Sequence, residues 1–199
     1  RDWSSDVCSS DLRSIKARSS FLLMIDIQER LMPAIYNKDE ILTNSVRILT
    51  SARQLSVPSI ITEQYPKGIG PTVPELKELI PEGSSIIAKT EFSCCEAHDF
   101  SDAFLNLNFN SGTKDTAILF GVESHICVLA TAIELQEKYN LNVVIAADAC
   151  GSRTEQNHKL ALDAMRSLGF LVVPTETVIY HMLEKAGTPD FKALLPLFK

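Results

Sequence analysis

The sequence has few of the features that mark nucleic-acid-binding or membrane proteins. Its 19 Lys and Arg residues are outnumbered by 25 Asp and Glu residues, which gives a formal net charge of −6, and there is no basic cluster. This shortage of positive charge disfavours nucleic acid and anionic lipid as binding partners. No apolar run approaches the roughly 20 residues that a membrane-spanning helix needs. We therefore expect neither nucleic acid nor a membrane to be the main partner.

The chain also lacks the cysteine spacing of a disulfide scaffold or a zinc motif. Its five cysteines are odd in number and irregularly spaced, and no C-x-x-C is present. A chain of this length buries roughly 70% of its unfolded surface, so its core needs no such staples. No glycine-rich phosphate loop follows a predicted strand. We expect no cofactor and a reducing compartment, the cytoplasm or alternatively the mitochondrion.

Residues 1–18 differ from the rest of the chain. They contain no apolar run for a signal peptide, and Asp2, Asp6 and Asp11 are atypical of a transit peptide. The stretch RDWSSDVCSSDL resembles a translated sequencing adapter. We expect this segment to be disordered or non-native and exclude it from the fold prediction.

The remaining residues alternate between buried-strand and amphipathic-helix patterns. Apolar runs typical of buried strands occur at 21–25, 57–62, 85–88, 116–120, 142–147 and 170–173, with helical periodicity after each of them. Repeated β-α units specify a parallel sheet with helices on both faces. We predict a three-layer α/β/α, Rossmann-like fold with a six-stranded parallel sheet, forming one domain over residues 19–199.

Three chemically reactive side chains follow predicted strands. Asp26 follows the first strand and Lys89 the third, while Cys127 lies six residues after Gly121, where a helical pattern begins. In open α/β sheets the ligand site lies outside the carboxyl ends of the strands, so the three side chains should meet at one edge. The first turn of a helix favours a thiolate over a thiol.

Together these side chains could attack a carbonyl or imine carbon covalently. Asp26 can accept the thiol proton and return it to a leaving group, while Lys89 can stabilise the thiolate of Cys127 and keep the aspartate ionised. Each residue type also has an ordinary structural role: a helix cap, a solvated lysine, or a small buried cysteine. Their joint placement at one edge is what favours catalysis.

Three motifs resemble the isochorismatase-like cysteine hydrolases, a family that includes nicotinamidases and N-carbamoylsarcosine amidohydrolases. They are MIDIQ at 24–28, AKTEFS at 88–93 and GVESHICV at 121–128, and their order and spacing match the family over residues 20–185. The loop TEQYPKGIGPTVPEL at 62–76 resembles the subgroup of isochorismatase domain-containing protein 2.

The resemblance implies a role for each of the three reactive side chains. Asp26 would be the base, Lys89 the supporting cation and Cys127 the nucleophile. It further implies a cis peptide bond between Val122 and Glu123, with the amides of Glu123 and Cys127 forming an oxyanion hole.

The resemblance also bears on the ligands of the site. It implies that Gln28 and Phe92 line the substrate pocket, with Tyr65 contributing from the long loop. Nicotinamidases hold a metal with histidines in the loop after the second strand, and this chain has none there. We therefore predict a metal-independent hydrolase acting on a small molecule with an amide, imine or related C–N or C–O bond. The family commonly forms oligomers, so we also expect a homo-oligomer.

Two other functions stay open at this point. The chain could be a catalytically vestigial binding or scaffold protein of the same fold, or a thiol redox sensor, which would need a second cysteine near Cys127. The adjacent Cys94 and Cys95 are predicted to be packing residues, because neighbouring cysteines rarely form a relaxed disulfide. His125 could pair with Cys127, although neighbours in a turn need not face one another. His158 is predicted to be a surface or capping residue.

Overall fold

The structure is a computed structural model that describes residues 15–199, except for the side chain of Phe109. These residues contain a six-stranded parallel sheet, which confirms the predicted architecture. The order of the strands across the sheet is β3-β2-β1-β4-β5-β6. The strands are β1 (Ser20–Ile25), β2 (Ser59–Gln64), β3 (Ser85–Lys89), β4 (Thr116–Val122), β5 (Asn142–Gly151) and β6 (Leu171–Val173).

Helices flank the sheet and complete the three layers. Helix α1 packs against α7 and α8, and α5 packs against the turn at Cys94–Glu96. Within residues 15–199, no helix is both long enough and apolar enough to cross a bilayer. The helices are α1 (Lys38–Leu55), α2 (Pro66–Ile69), α3 (Pro74–Lys77), α4 (Phe100–Ser111), α5 (Leu129–Tyr139), α6 (Glu155–Ser167), α7 (Thr175–Leu183) and α8 (Pro189–Leu194).

The two central strands position the site. Every residue of β1 and β4 is buried, as expected for strands covered on both faces. They are neighbours, and the order of the strands reverses between them, which is where ligands bind in open α/β sheets. Asp26 directly follows β1, and the turn that carries Cys127 follows β4.

Gly121 allows β4 to approach β1 closely next to this site. It pairs with Ile25, and its φ of +124° is a conformation that residues with a side chain rarely adopt. A Cβ atom at this position would lie 2.0 Å from the carbonyl oxygen of Ile25, so no larger residue fits without moving backbone. The close approach keeps the turn after β4 beside Asp26.

Two elements differ from their predicted bounds. Strand β5 continues four residues past the predicted end at 147, because its last residues pair with β4 beyond a register shift at Gly121. The helical pattern that was expected to begin at Cys127 starts instead with a π-helical turn, Ser124–Val128, that leads into α5. Cys127 therefore lies within an irregular turn of the kind often found at functional sites.

The start of the domain can be described only in part. Ile15 is buried in the core, so ordered structure is present four residues before the predicted boundary at residue 19. The prediction for residues 1–14 lies outside the described residues.

Candidate active site

Asp26 and Lys89 form a buried ion pair across the end of β2. The Lys89 Nζ atom lies 2.7 Å from Asp26 Oδ2, and both side chains are almost fully excluded from solvent. The ammonium group also donates to Gln64 Oε1 and, at 3.2 Å, to the carbonyl oxygen of Glu91. A lysine ammonium has three protons, so each has an acceptor. This full set of partners offsets the cost of burying the charge.

These contacts hold Lys89 as a cation that faces Asp26. Burial lowers the pKa of Lys89, but the neighbouring Asp26 carboxylate and two cysteine thiols outweigh burial, and its pKa is raised overall. No hydrogen bond joins Lys89 to Cys127 among the described residues. Its effect on that thiol is exerted through space, where the positive charge lowers the pKa of Cys127. Direct hydrogen bonding of the lysine to the sulfur is therefore not how the two residues interact.

The Asp26 carboxylate is fixed from two sides. Its Oδ2 atom accepts from Lys89, and its Oδ1 atom accepts from the hydroxyl of Thr62 at 2.7 Å. The backbone of Asp26 is left-handed, with φ of +54°, and its amide donates to the carbonyl oxygen of Thr62 at 3.2 Å. Aspartate is one of the few residue types that adopt this conformation readily.

The Cys127 thiol is only 7% exposed and lies close enough to Asp26 for the charge of the carboxylate to act on it. Burial and the charge of Asp26 raise the pKa of Cys127 to about 12, against the opposing influence of Lys89. The helix terminus favours a thiolate, but burial beside a carboxylate outweighs it. At neutral pH the proton stays on the sulfur, with the carboxylate in place to receive it.

The turn before Cys127 is anchored to the segment after β5. The Val122–Glu123 peptide bond is cis, and the buried Glu123 carboxylate accepts from the backbone amide of Arg153 at 2.8 Å and from its Nε atom at 3.2 Å. Ser124 Oγ lies 2.8 Å from His158 Nδ1. These contacts hold Glu123 and Ser124 against residues that are distant from them in the sequence.

Neither nearby histidine pairs with the cysteine. His125 Nδ1 lies 3.0 Å from Ser152 Oγ, and its Nε2 atom lies 3.4 Å from Asn157 Nδ2, so both ring nitrogens face other partners. The prediction of a surface role for His158 was wrong: it is buried against the turn, and this burial lowers its pKa. Its role is to hold the turn in place.

Known protein families include one that matches most of the chain. Residues 20–177 match the family described as Isochorismatase domain.

The chain belongs to the isochorismatase family.

Similar proteins cover nearly the whole chain. It is 35% identical to isochorismatase domain-containing protein 2 of Danio rerio over 183 residues, 92% of this chain and 88% of that protein. A structure described as MAR1 ribonuclease from Caenorhabditis elegans is 36% identical, covers 92% of this chain and 91% of its own, and has a TM-score of 0.84. These relatives confirm both the family and the subgroup that the loop at 62–76 resembles.

A third structure shows how widely this fold is shared. The YcaC gene product of Escherichia coli, described as an octameric hydrolase of unknown specificity, has a TM-score of 0.82 at 23% identity and covers 92% of this chain and 89% of its own. Membership of the isochorismatase family supports a hydrolase that acts on small molecules.

Three residues were expected to line the pocket of this isochorismatase-family chain, and they differ in how far each is buried. Gln28 is fully buried, and its amide binds backbone atoms at the end of β2, at Gln64, and in the loop that follows, at Gly70. It therefore shapes that loop and presents no surface to a ligand. Tyr65 is 54% exposed and lines a pocket of about 390 Å³ that also borders Lys89. Phe92 is 64% exposed.

Within residues 15–199, no group of three or more His, Cys, Asp and Glu side chains is arranged to hold a metal ion.

Sequence reasoning did not select three residues that contact the ion pair or its neighbours. Thr62 and Gln64 are two residues apart on β2, so their side chains share one face of the sheet, between Asp26 and Lys89. Cys94 is fully buried, and its thiol lies 3.6 Å from Thr62 Oγ1. The polar residues at the end of β2 could have been selected by the same strand-end rule that identified their neighbours.

Proposed function

We propose that this protein is a metal-independent cysteine hydrolase that cleaves an amide, imine or related C–N or C–O bond of a small molecule. The proposed catalytic domain spans residues 19–199. The observation that carries the proposal is the buried Asp26–Lys89 ion pair beside Cys127: the charges of both residues act on the pKa of its thiol. A nucleophile, a base and a group that orients the base are thus gathered at one place.

The first half of the proposed reaction, written for an amide, forms a thioester. Asp26 takes the proton from Cys127 as the sulfur attacks the carbonyl carbon, so no resting thiolate is needed. The backbone amides of Glu123 and Cys127 are the proposed donors to the oxyanion. Asp26 then transfers the proton to the leaving nitrogen as the C–N bond breaks.

The second half releases the product and restores the thiol. Asp26 takes a proton from a water molecule as the oxygen of that water attacks the thioester carbon. The C–S bond breaks, the carboxylic acid leaves, and the proton returns from Asp26 to Cys127. Lys89 stays charged throughout and keeps the carboxylate oriented toward the sulfur.

Two alternatives have specific observations in their favour. A vestigial site is favoured by the raised pKa and low exposure of Cys127, which slow its reaction with any electrophile that Asp26 does not assist. A redox sensor is favoured by Cys94, which lies close enough for its charge to act on the pKa of Cys127. For the proposed hydrolase to work, the Cys127 thiol must stay reduced, and the predicted cytoplasmic or mitochondrial location would keep it so.

A substrate panel tests the proposal. Small amides, ureides and enol ethers should be assayed with the wild-type protein and with Cys127→Ala, together with a single-stranded RNA because one relative is described as a ribonuclease. We expect turnover of at least one small molecule by the wild type, none above the uncatalysed rate by Cys127→Ala, and no RNA cleavage. Equal turnover by the two proteins would refute the mechanism, and RNA cleavage that needs Cys127 would replace the substrate class.

We also propose a homo-oligomer. Ile86, Phe92 and Leu105 are each more than half exposed, which leaves apolar surface for contact with further copies of the chain. Light scattering at working concentration should give a mass that is a multiple of the 22.0 kDa chain. A mass equal to one chain would contradict this prediction.

A further inference from the structure

The hydroxyl of Thr62 is placed to act on the proposed base. Its Oγ1 atom donates to Asp26 Oδ1 at 2.7 Å, and both residues are fully buried. A donor held against a buried carboxylate stabilises its charged form more than a solvated donor would, because no water competes for the oxygen. The other carboxylate oxygen is taken by Lys89, so Thr62 and Lys89 together fix the plane of the group.

Thr62 is in turn oriented by a second thiol. The Cys94 Sγ atom lies 3.6 Å from Thr62 Oγ1, and the backbone amide of Cys94 donates to Thr131 Oγ1 at 2.9 Å. A hydroxyl has one proton to donate and can accept another. With the Cys94 thiol as donor, the Thr62 proton points toward Asp26, and a directed chain of hydrogen bonds ends at the base.

We propose that Thr62 is a positioning residue of the reaction: its hydroxyl holds the Asp26 carboxylate in the orientation in which it can take the proton of Cys127. This inference rests on the proposed function for its meaning in catalysis. The titratable groups that act on Asp26 from the surrounding elements are Lys89 from β3, Cys127 from the turn after β4, and Cys94 from the turn after β3.

The effect of removing the hydroxyl has a definite sign. In Thr62→Val the Asp26 carboxylate loses the donor that fixes its Oδ1 atom, so it can turn away from Cys127 and hydrolysis should slow. Loss of a hydrogen bond to a charged group corresponds to a fall of roughly 10-fold to 100-fold in kcat/KM. In Thr62→Ser the donor is retained, and hydrolysis should stay at the wild-type rate.

The chain offers a matched control elsewhere. Thr175, at the start of α7, is also buried and donates to an aspartate, Asp148 Oδ1, at 2.7 Å. Thr175→Val therefore removes the same kind of hydrogen bond, with a comparable loss of stability, but leaves the surroundings of Asp26 unchanged. A change at Asp26 that is seen in Thr62→Val and absent from Thr175→Val cannot come from general loosening of the fold.

The first experiment is a carboxyl-carbon NMR spectrum at neutral pH of protein labelled with ¹³C at its aspartate side chains, with Asp26→Asn used to assign the signal. We expect the Asp26 signal to move in Thr62→Val, because its Oδ1 atom has lost a donor, and to stay in place in Thr62→Ser and Thr175→Val. An unmoved signal in Thr62→Val, or an equal movement in Thr175→Val, overturns the inference.

A kinetic measurement separates this inference from the proposed function. On any compound that the wild type hydrolyses, kcat should fall in Thr62→Val and be retained in Thr62→Ser and Thr175→Val, with KM changed far less than kcat. A moved NMR signal with an unchanged kcat would overturn the positioning role of Thr62 in turnover. Retained turnover in Cys127→Ala would instead defeat the proposed function and leave the NMR result intact.

Discussion

Cys127→Ser is expected to lower kcat/KM by about 10⁴-fold or more, the size of effect seen when a nucleophile is removed from a catalytic unit. The serine hydroxyl fits the space of the thiol and can still donate to Asp26, so the geometry is kept. An alcohol is far harder to deprotonate than a thiol and is a weaker nucleophile, and this site contains a carboxylate as its base. Steady-state kinetics on a substrate found in the panel would measure the loss.

The control for this variant is its stability. Serine differs from cysteine by one atom, and the free energy of unfolding should change by no more than about 1–2 kcal/mol, as for other nearly isosteric buried substitutions. Denaturant unfolding monitored alongside the kinetics would show this. Activity within tenfold of the wild type would mean that the sulfur does not form the bond to the substrate.

Asp26→Asn should change the alkylation of Cys127 and the rate of hydrolysis in opposite directions. Asparagine tolerates the left-handed backbone found at this position, so the fold should be kept. Loss of the negative charge removes one of the causes that raise the pKa of Cys127, so iodoacetamide should alkylate the thiol faster at pH 8 while hydrolysis falls. Faster alkylation together with faster hydrolysis would contradict the role of Asp26 as the base.

Lys89→Met is expected to lower the free energy of unfolding by about 3–5 kcal/mol, because breaking one side of a buried ion pair leaves the other charge unpaired. Asp26 would keep Thr62 as a donor but would lose the cation 2.7 Å from its Oδ2 atom. Denaturant unfolding of the wild type and the variant would measure this loss.

A double-mutant cycle separates the lost pairing from lost packing. Lys89→Met combined with Asp26→Asn removes both charges at similar side-chain volume, so a large part of the stability lost in Lys89→Met should return. If the two single losses simply add, the ion pair is not what Lys89 contributes. Hydrolysis should be lost in the double variant whatever its stability, because it has no base.

Much of the fold could be predicted from the sequence because its signals are local. The continuous apolar runs at 21–25 and 116–120 could only belong to strands buried on both faces, and both are central in the sheet. The periodic apolar positions after the first strand predicted a helix, and that helix is α1. The same logic placed Asp26, Lys89 and Cys127 at one edge, since the carboxyl ends of parallel strands lie together.

The family was also determined by the sequence, because its motifs are short runs of specific residues. The motifs GVESHIC and MIDIQ can be recognised in the sequence without knowing how far apart they lie in the fold. The match of residues 20–177 to the family confirms the prediction. A motif lists residue types without their surroundings. It could not show that Gln28 is fully buried and bonded to backbone, or that Tyr65 and Phe92 are exposed.

Only the tertiary structure decided the electrostatics of the site. Whether Cys127 holds its proton depends on burial and on the distance to charges about 40 and 100 residues away in sequence, and here burial and Asp26 outweigh Lys89. The contact of Thr62 with Asp26, 36 residues apart, exists because β2 lies next to β1. Sequence patterns report which residues face the core, whereas a pKa depends on distances in space, and those are set when the strands come together.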